Sequence, residues 1–317
     1  MPTLAAAMAL AMVGCGGGNN SQAIVEPTGN PHLVSADSRI MSPKLMSVSG
    51  TDIYLANQIT TARVSDAGAP YFYEKSGVLK ISSIDEISPA GFSGSYDNIG
   101  VYIDSNNAVH VSGKILADGN PAIYNLTGTR LAYTSGSHYG FAFINSNDLL
   151  APSINLANKL SISSATGYAS WSPLAFTETP QAFAKKGTYI YFSTSEGHIY
   201  KSDLNNILTA PVPLNLTGVS LESPNGIAFD GDVMYVVNYG PVTGTGSWIA
   251  KITNESNVTE FKKDINWLCA SAGIAVRGNY IYVSNGSKNM SGSTITSCGA
   301  IPGTNTSVLN TIVKFFH

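Results

Sequence analysis

Between Ser223 and Gly240 the chain reads SPNGIAFDGDVMYVVNYG, two short apolar runs flanking a polar Asp-Gly-Asp step. Apolar positions that run on rather than alternate predict strands covered on both faces. Gly231 suits the tight turn between them, because positive φ costs glycine little. The pattern recurs in PKLMSVSGTDIYLAN (Pro43 to Asn57), PQAFAKKGTYIYFST (Pro180 to Thr194) and SAGIAVRGNYIYVSN (Ser271 to Asn285). In each, a glycine stands four residues before a tyrosine: Gly50 and Tyr54, Gly187 and Tyr191, Gly231 and Tyr235, Gly278 and Tyr282.

The last three tyrosines are 44 and 47 residues apart, whereas Tyr54 precedes Tyr191 by 137, room for three units of similar size. Two degenerate copies fill the gap, NIGVYIDSNNAVHVSG (Asn98 to Gly113) and YGFAFINSNDLLAPS (Tyr139 to Ser153). A period in the forties with about four short strands per unit predicts an all-β, six-bladed β-propeller. In the fifth unit the expected strands, from the axis outward, are Gly226 to Phe229, Val233 to Asn238, Trp248 to Thr253 and Val258 to Lys262. The sixth offers Gly273 to Val276, Tyr280 to Ser284 and Leu309 to Phe315, one strand short. An N-terminal strand within His32 to Met41 is placed to complete that last blade and leave no open edge.

Composition narrows the class. Hydrophobic residues make up 44% of the chain and charged residues 12%, against roughly 25% charged in an average soluble protein. With a net charge of -3 and no cluster of Lys and Arg, the chain lacks the basic surface that nucleic acid requires. The apolar run Leu4 to Val13 is too short to span a bilayer but matches a signal-peptide core.

That run ends in MVGC and is followed by GGGNNSQ, which resembles a bacterial lipoprotein signal. The resemblance implies lipidation of Cys15 after cleavage behind Gly14, a lipid anchor in the cell envelope and, with no Asp after the cysteine, the outer membrane. Residues 1–22 then form signal and flexible tether, and residues 23–317 the propeller. The three cysteines leave Cys269 and Cys298, which an oxidising compartment lets join; two unpaired buried thiols are the alternative.

SPNGIAFDGDVMYVVN and SAGIAVRGNYIYVSN follow a P-x-G-I-A-[VF] strand with [IL]-Y-V. This repeat resembles the six-bladed propellers of the NHL and SMP-30-like superfamily. In the lactonases of that group the Asn of such a PNG step ligates a divalent metal at the channel mouth, so the resemblance makes Asn225 a metal candidate and calcium the one cofactor to consider. Ala272 and Lys44, however, stand where the family has acidic ligands, and a hard cation needs carboxylates. No cofactor is therefore expected.

Residues just before each innermost strand should converge on the axis: Lys44, Asp97 with Asn98, His138 with Tyr139, Gln181 and Asn225. This polar, amide-rich set suits a sugar, a peptide terminus or ordered water. His138, Asp97 and Ser137 form a conceivable dyad with a nearby hydroxyl, but the chain has no G-x-S-x-G elbow and no zinc-type histidine spacing. Two insertions, at 238–248 and 286–307, follow the second strands of neighbouring units and enlarge one rim. The reading is an envelope-anchored, non-enzymatic binding or scaffold protein presenting loop rims to a protein or glycan partner. Its rival is a metal-dependent lactonase or esterase-like hydrolase at the channel mouth.

Overall fold

The computed structural model describes residues 28–40, 42–58, 77–90, 95–115, 121–133, 140–145, 148–152, 160–164, 171–239, 246–286 and 298–317. Strand β1 (Pro31–Ser35) is followed by a sheet of β2 (Pro43–Ser49), β3 (Asp52–Asn57), β4 (Val78–Ile81) and β5 (Ile87–Pro89). The second sheet holds β6 (Ser95–Ile103), β7 (Val109–Ile115), β8 (Pro121–Asn125) and β9 (Arg130–Tyr133). The third holds β10 (Ala142–Phe143), β11 (Asp148–Pro152), β12 (Leu160–Ser164) and β13 (Trp171–Leu174). The fourth holds β14 (Pro180–Lys186), β15 (Tyr189–Thr194), β16 (Ile199–Asp203) and β17 (Val212–Pro213).

The fifth sheet takes in β18 (Thr217–Gly218), β19 (Pro224–Asp230), β20 (Val233–Asn238), β21 (Trp248–Thr253) and β22 (Asn257–Lys263). Its spatial order is β18-β22-β21-β20-β19, so the short β18 adds a parallel edge that the repeat did not predict. The last sheet comprises β23 (Ser271–Arg277), β24 (Tyr280–Asn285) and β25 (Thr311–Phe316), with β1 antiparallel to β25. β1 is shorter than the expected segment because Asp37 accepts the Arg39 backbone N–H at 2.8 Å and turns the chain away. Ile40 then returns to the core beside Ile53 and Leu55.

The first strands of successive sheets pack on one another: β2 on β6, β10 on β14, β14 on β19, β19 on β23, and β23 back on β2. The second and third sheets meet through Tyr102, whose ring centroid lies 6.0 Å from that of Phe141 and 5.9 Å from that of Phe143. Apolar cores accordingly lie between neighbouring sheets. Ile53, Leu55 and Ile81 of the first sheet bury against Ala275, Tyr282 and Ile312 of the last.

The recurring tyrosine also carries a polar link between sheets. Tyr282 donates to Asp85 at 2.9 Å, and Asp85 further accepts from Arg277 at 2.6 Å and Lys314 at 2.7 Å. This cluster joins the β4–β5 turn of the first sheet to all three long strands of the last. Burial, with the hydrogen bond and charge of Asp85, pushes the Tyr282 hydroxyl up to about 12, although Arg277 pulls the other way. The same device recurs where Tyr191 donates to Glu255 on the β21–β22 turn, with Lys201 at 2.5 Å from that carboxylate. Burial tends to raise Glu255, but the Lys201 and Tyr191 hydrogen bonds outweigh it and hold the carboxyl below its ordinary range.

Candidate functional site

Lys44, Gln181, Asn225 and Ala272 are each the second residue of β2, β14, β19 and β23. Each lies in a bulge before a paired residue: Met46, Phe183, Ile227 or Ile274. The shared Pro-x or Ser-x step places them at one level of the four innermost strands. The second sheet departs from this. Its bulge, between Tyr96 and Gly100, is wider, so Ile99 occupies the matching step and Asn98 falls one residue earlier, next to Asp97. His138, Tyr139, Ser137 and Cys15 lie outside the described residues.

Serines on the second strands fix this level. Ser284 Oγ accepts the Gly273 N–H at 2.8 Å and donates to the Lys44 carbonyl at 2.7 Å. Ser193 Oγ accepts the Ala182 N–H at 3.2 Å and donates to the Asn225 carbonyl at 2.7 Å. Ser112 likewise accepts the Gly100 N–H at 2.9 Å. Each of the first two bonds sews a bulge to the next sheet. The approach is close enough that a Cβ on Gly273 would lie 2.1 Å from the Lys44 carbonyl oxygen, and one on Gly226 2.7 Å from that of Ala272. The glycine of the P-x-G-I-A step is thus required by backbone contact between sheets.

The side chains at this level are enclosed. Asn225 is 0% exposed, and neither its Oδ1 nor its Nδ2 has a hydrogen-bond partner among the described residues. Gln181 is 5% exposed and its Oε1 is likewise unpaired. Leaving such groups unpaired costs about 1–3 kcal/mol each, so this level is poised to receive hydrogen-bonding atoms. Lys44 is buried beside them. As a calcium site the set is unsuitable. Lys44 brings an ammonium and Ala272 no donor, which leaves amides where a hard dication needs several anionic oxygens. Among the described residues no group of three His, Cys, Asp or Glu side chains is gathered closely enough to hold a metal.

Asparagines that close three of the second strands are a further set, one step beyond the level of the serines. Asn238 Oδ1 accepts the Glu222 and Ser223 N–H groups at 2.9 and 3.1 Å. Asn285 Oδ1 accepts the Cys269 N–H at 3.2 Å and the Ser271 hydroxyl at 2.7 Å. Asn57 Nδ2 donates to the Arg39 carbonyl at 2.9 Å. They hold the loop that enters each innermost strand, and the signal for them was the Asn ending three of the four repeats.

The enlarged rim is at this same end, since Pro224 pairs with Asn238 and the insertions follow the second strands. Cys269 and Cys298 form a disulfide with Cα atoms 6.1 Å apart, which excludes the reading of two free thiols. Tyr239 and Ala270 pack together with Cys298 and Leu309, so the roots of the two insertions touch.

No protein-family model matches the chain, and no curated protein matches it. Solved structures do. A structural genomics protein of unknown function from Bacteroides thetaiotaomicron superposes over 91% of this chain and 72% of its own, at 12% identity and a TM-score of 0.55. A catalytically inactive virginiamycin B lyase from Staphylococcus aureus with quinupristin covers 91% of this chain and 99% of its own, at 14% identity and TM-score 0.52. An auxiliary nutrient binding protein from Bacteroides ovatus covers 86% and 68%, at 13% identity and TM-score 0.51. At such identities the likeness speaks to fold alone, and together with the sheet topology it establishes that the chain is an all-β propeller.

Proposed function

We propose that this propeller is an envelope-anchored, non-enzymatic binding or scaffold protein whose enlarged rim meets a protein or glycan partner. The observation that supports it is the rim itself: two insertions on neighbouring sheets touch at their roots, and the Cys269–Cys298 bridge staples one of them to the ring. A loop held this way loses less freedom on binding, which favours affinity. Beneath the rim, the Asn225 amide and the Gln181 Oε1, unpaired among the described residues, offer hydrogen-bonding groups to sugar hydroxyls or a peptide terminus. In this reading the six sheets are the six blades of a single ring latched by β1, and the lipid on Cys15 fixes the ring to the outer membrane.

Photo-crosslinking in cells tests the rim, with benzoylphenylalanine at exposed Asn305 and, as a control, at exposed Ile84 on the β4–β5 turn. A discrete adduct from Asn305 that is absent from Ile84 supports the proposal; equal labelling or none overturns it. Loss of membrane association in Cys15→Ser is the outcome expected for the anchor. The rival hydrolase reading draws on the unsatisfied Asn225 amide. It demands that calcium bind in calorimetry and that Asn225→Ala abolish both binding and lactone hydrolysis.

A further inference from the structure

At the rim, the loop that enters β23 is a braced knuckle. The Asp264 carbonyl accepts the Trp267 and Leu268 N–H groups at 3.0 and 2.7 Å, and Asp264 Oδ1 accepts the Asn266 N–H at 3.1 Å. Asn285 Nδ2 donates to the Trp267 carbonyl at 2.9 Å and ties the knuckle to β24. Beside it, residues 299–308 fold back on themselves. Ala300 bridges Ser307, the Ile301 N–H reaches the Thr306 carbonyl at 2.8 Å, and Ile301 and Val308 are buried in the core. The Thr304 hydroxyl, bonded to the Ile301 carbonyl at 2.9 Å, braces this hairpin from within. The two loops touch, since a Cβ on Gly299 would lie 2.8 Å from Asn266 Oδ1. Both are held before anything binds, which limits the ordering cost of binding.

The surface they present is neutral. Ile265 is 45% exposed, Asn266 and Asn305 are exposed, and Trp267 is half-buried. Neither asparagine side chain nor Trp267 Nε1 hydrogen-bonds to a described residue. Residues 265–271 and 298–310 hold no Asp, Glu, Lys, Arg or His. The charged residues that adjoin them along the chain are Lys262 and Asp264, 3.9 Å apart, and the exposed Lys263. Primary amides both donate and accept, and an indole combines apolar area with a single N–H. Sugar hydroxyls likewise donate and accept, and the C–H faces of a pyranose are apolar. A protein partner gains specificity from complementary charge, which residues 265–271 and 298–310 do not supply.

We propose that this part of the rim binds a neutral carbohydrate, the apolar face of a sugar ring against Trp267 and Ile265 and its hydroxyls on the Asn266 and Asn305 amides. The inference rests on the rim reading above and narrows its partner to a glycan.

Isothermal titration of the full chain with maltohexaose, cellohexaose and N-acetylchitohexaose, and with hexagalacturonate as the charged comparison, tests it. At least one neutral sugar should bind saturably at millimolar concentration, with an affinity unchanged between about 50 and about 500 mM NaCl. Asn266→Ala, at an exposed position, should weaken it about fivefold, the value of one neutral hydrogen bond of about 1 kcal/mol. Trp267→Phe, which keeps an aromatic ring in place and removes the N–H, should weaken it by a similar factor, and Asn225→Ala should leave it unchanged. The proposal is overturned by no saturable binding of any neutral sugar, by binding of hexagalacturonate alone, by parent-like affinity in both Asn266→Ala and Trp267→Phe, or by loss of binding in Asn225→Ala, which moves the sugar to the amide level. A protein adduct from Asn305 in cells without sugar binding by the purified chain overturns this inference and leaves the rim reading standing.

Discussion

Asp85→Asn probes the polar link between the first and last sheets. Asp85 takes hydrogen bonds from Arg277, Tyr282 and Lys314 at 2.6, 2.9 and 2.7 Å, and the three charged side chains are 25%, 13% and 19% exposed for Asp85, Arg277 and Lys314. Asparagine preserves shape and tolerates the left-handed backbone at this position, φ 64°, as alanine does not, so the change isolates charge. Hydrogen bonds to a charged group contribute about 1.5–3 kcal/mol each, and breaking a fully buried pair costs about 3–5 kcal/mol. Because Asn keeps one acceptor and the site is a quarter exposed, about 2–3 kcal/mol is expected, a fall in Tm of about 5 °C. Urea unfolding at unchanged m-value measures it. A double-mutant cycle with Tyr282→Phe should return a coupling of about 1 kcal/mol. Asp232→Asn is the control, since that carboxylate pairs with Lys186 but is fully exposed and should show no measurable change. If Asp85→Asn behaves like Asp232→Asn, the cluster does not hold the sheets together.

Four other outcomes are expected. Deleting residues 28–35 strips β25 of its edge partner over four register pairs and should cost about 3 kcal/mol, with self-association on size exclusion as the bare edge finds another; an unchanged monomer with unchanged Tm refutes closure by β1. Ser284→Ala leaves the Gly273 N–H without its acceptor and should cost about 1–3 kcal/mol, whereas Ser202→Ala removes a buried hydroxyl that has no partner among the described residues and should be neutral or stabilising in the same melt. Replacing Cys269 and Cys298 together by serine opens a loop spanning 29 residues and should cost at most about 3.6 kcal/mol in the chain-entropy model, which chemical denaturation reads directly. For Glu178, burial raises the carboxyl, but hydrogen bonds from Thr194, Tyr200 and His198 together hold it below its ordinary 4.5. Its contribution is therefore present above pH 4.5 and lost as pH falls through the lowered value, so the stability gap between the parent and Glu178→Gln should shrink as pH is taken below about 4.5.

The repeat was readable because its cause is local. A turn glycine such as Gly231, at φ 53°, and the apolar run after it depend on a dozen consecutive residues. Hence β19 to β22 fall within a residue or two of where the pattern set them. What could not be read depends on partners far along the chain. Tyr282 repeats for a reason that lies at Asp85, 197 positions away, and Glu255 serves Tyr191 across 64. The candidate site divides the same way. Lys44, Gln181 and Asn225 share a level because they share a motif, but the extra residue in the β6 bulge, which moves Asn98 off that level, depends on pairing between Tyr96 and Lys114.

Pro31 lies opposite Phe315, the Gly29 N–H reaches the Phe316 carbonyl at 2.6 Å, and the His317 N–H reaches Asn279 in the β23–β24 turn at 3.0 Å. Both ends of the described chain therefore lie side by side at the end where the first and second strands turn. The rim stapled by the Cys269–Cys298 disulfide lies at the opposite end of the strands, so a change made where the two ends of the described chain pair is felt far from the loops that face a partner.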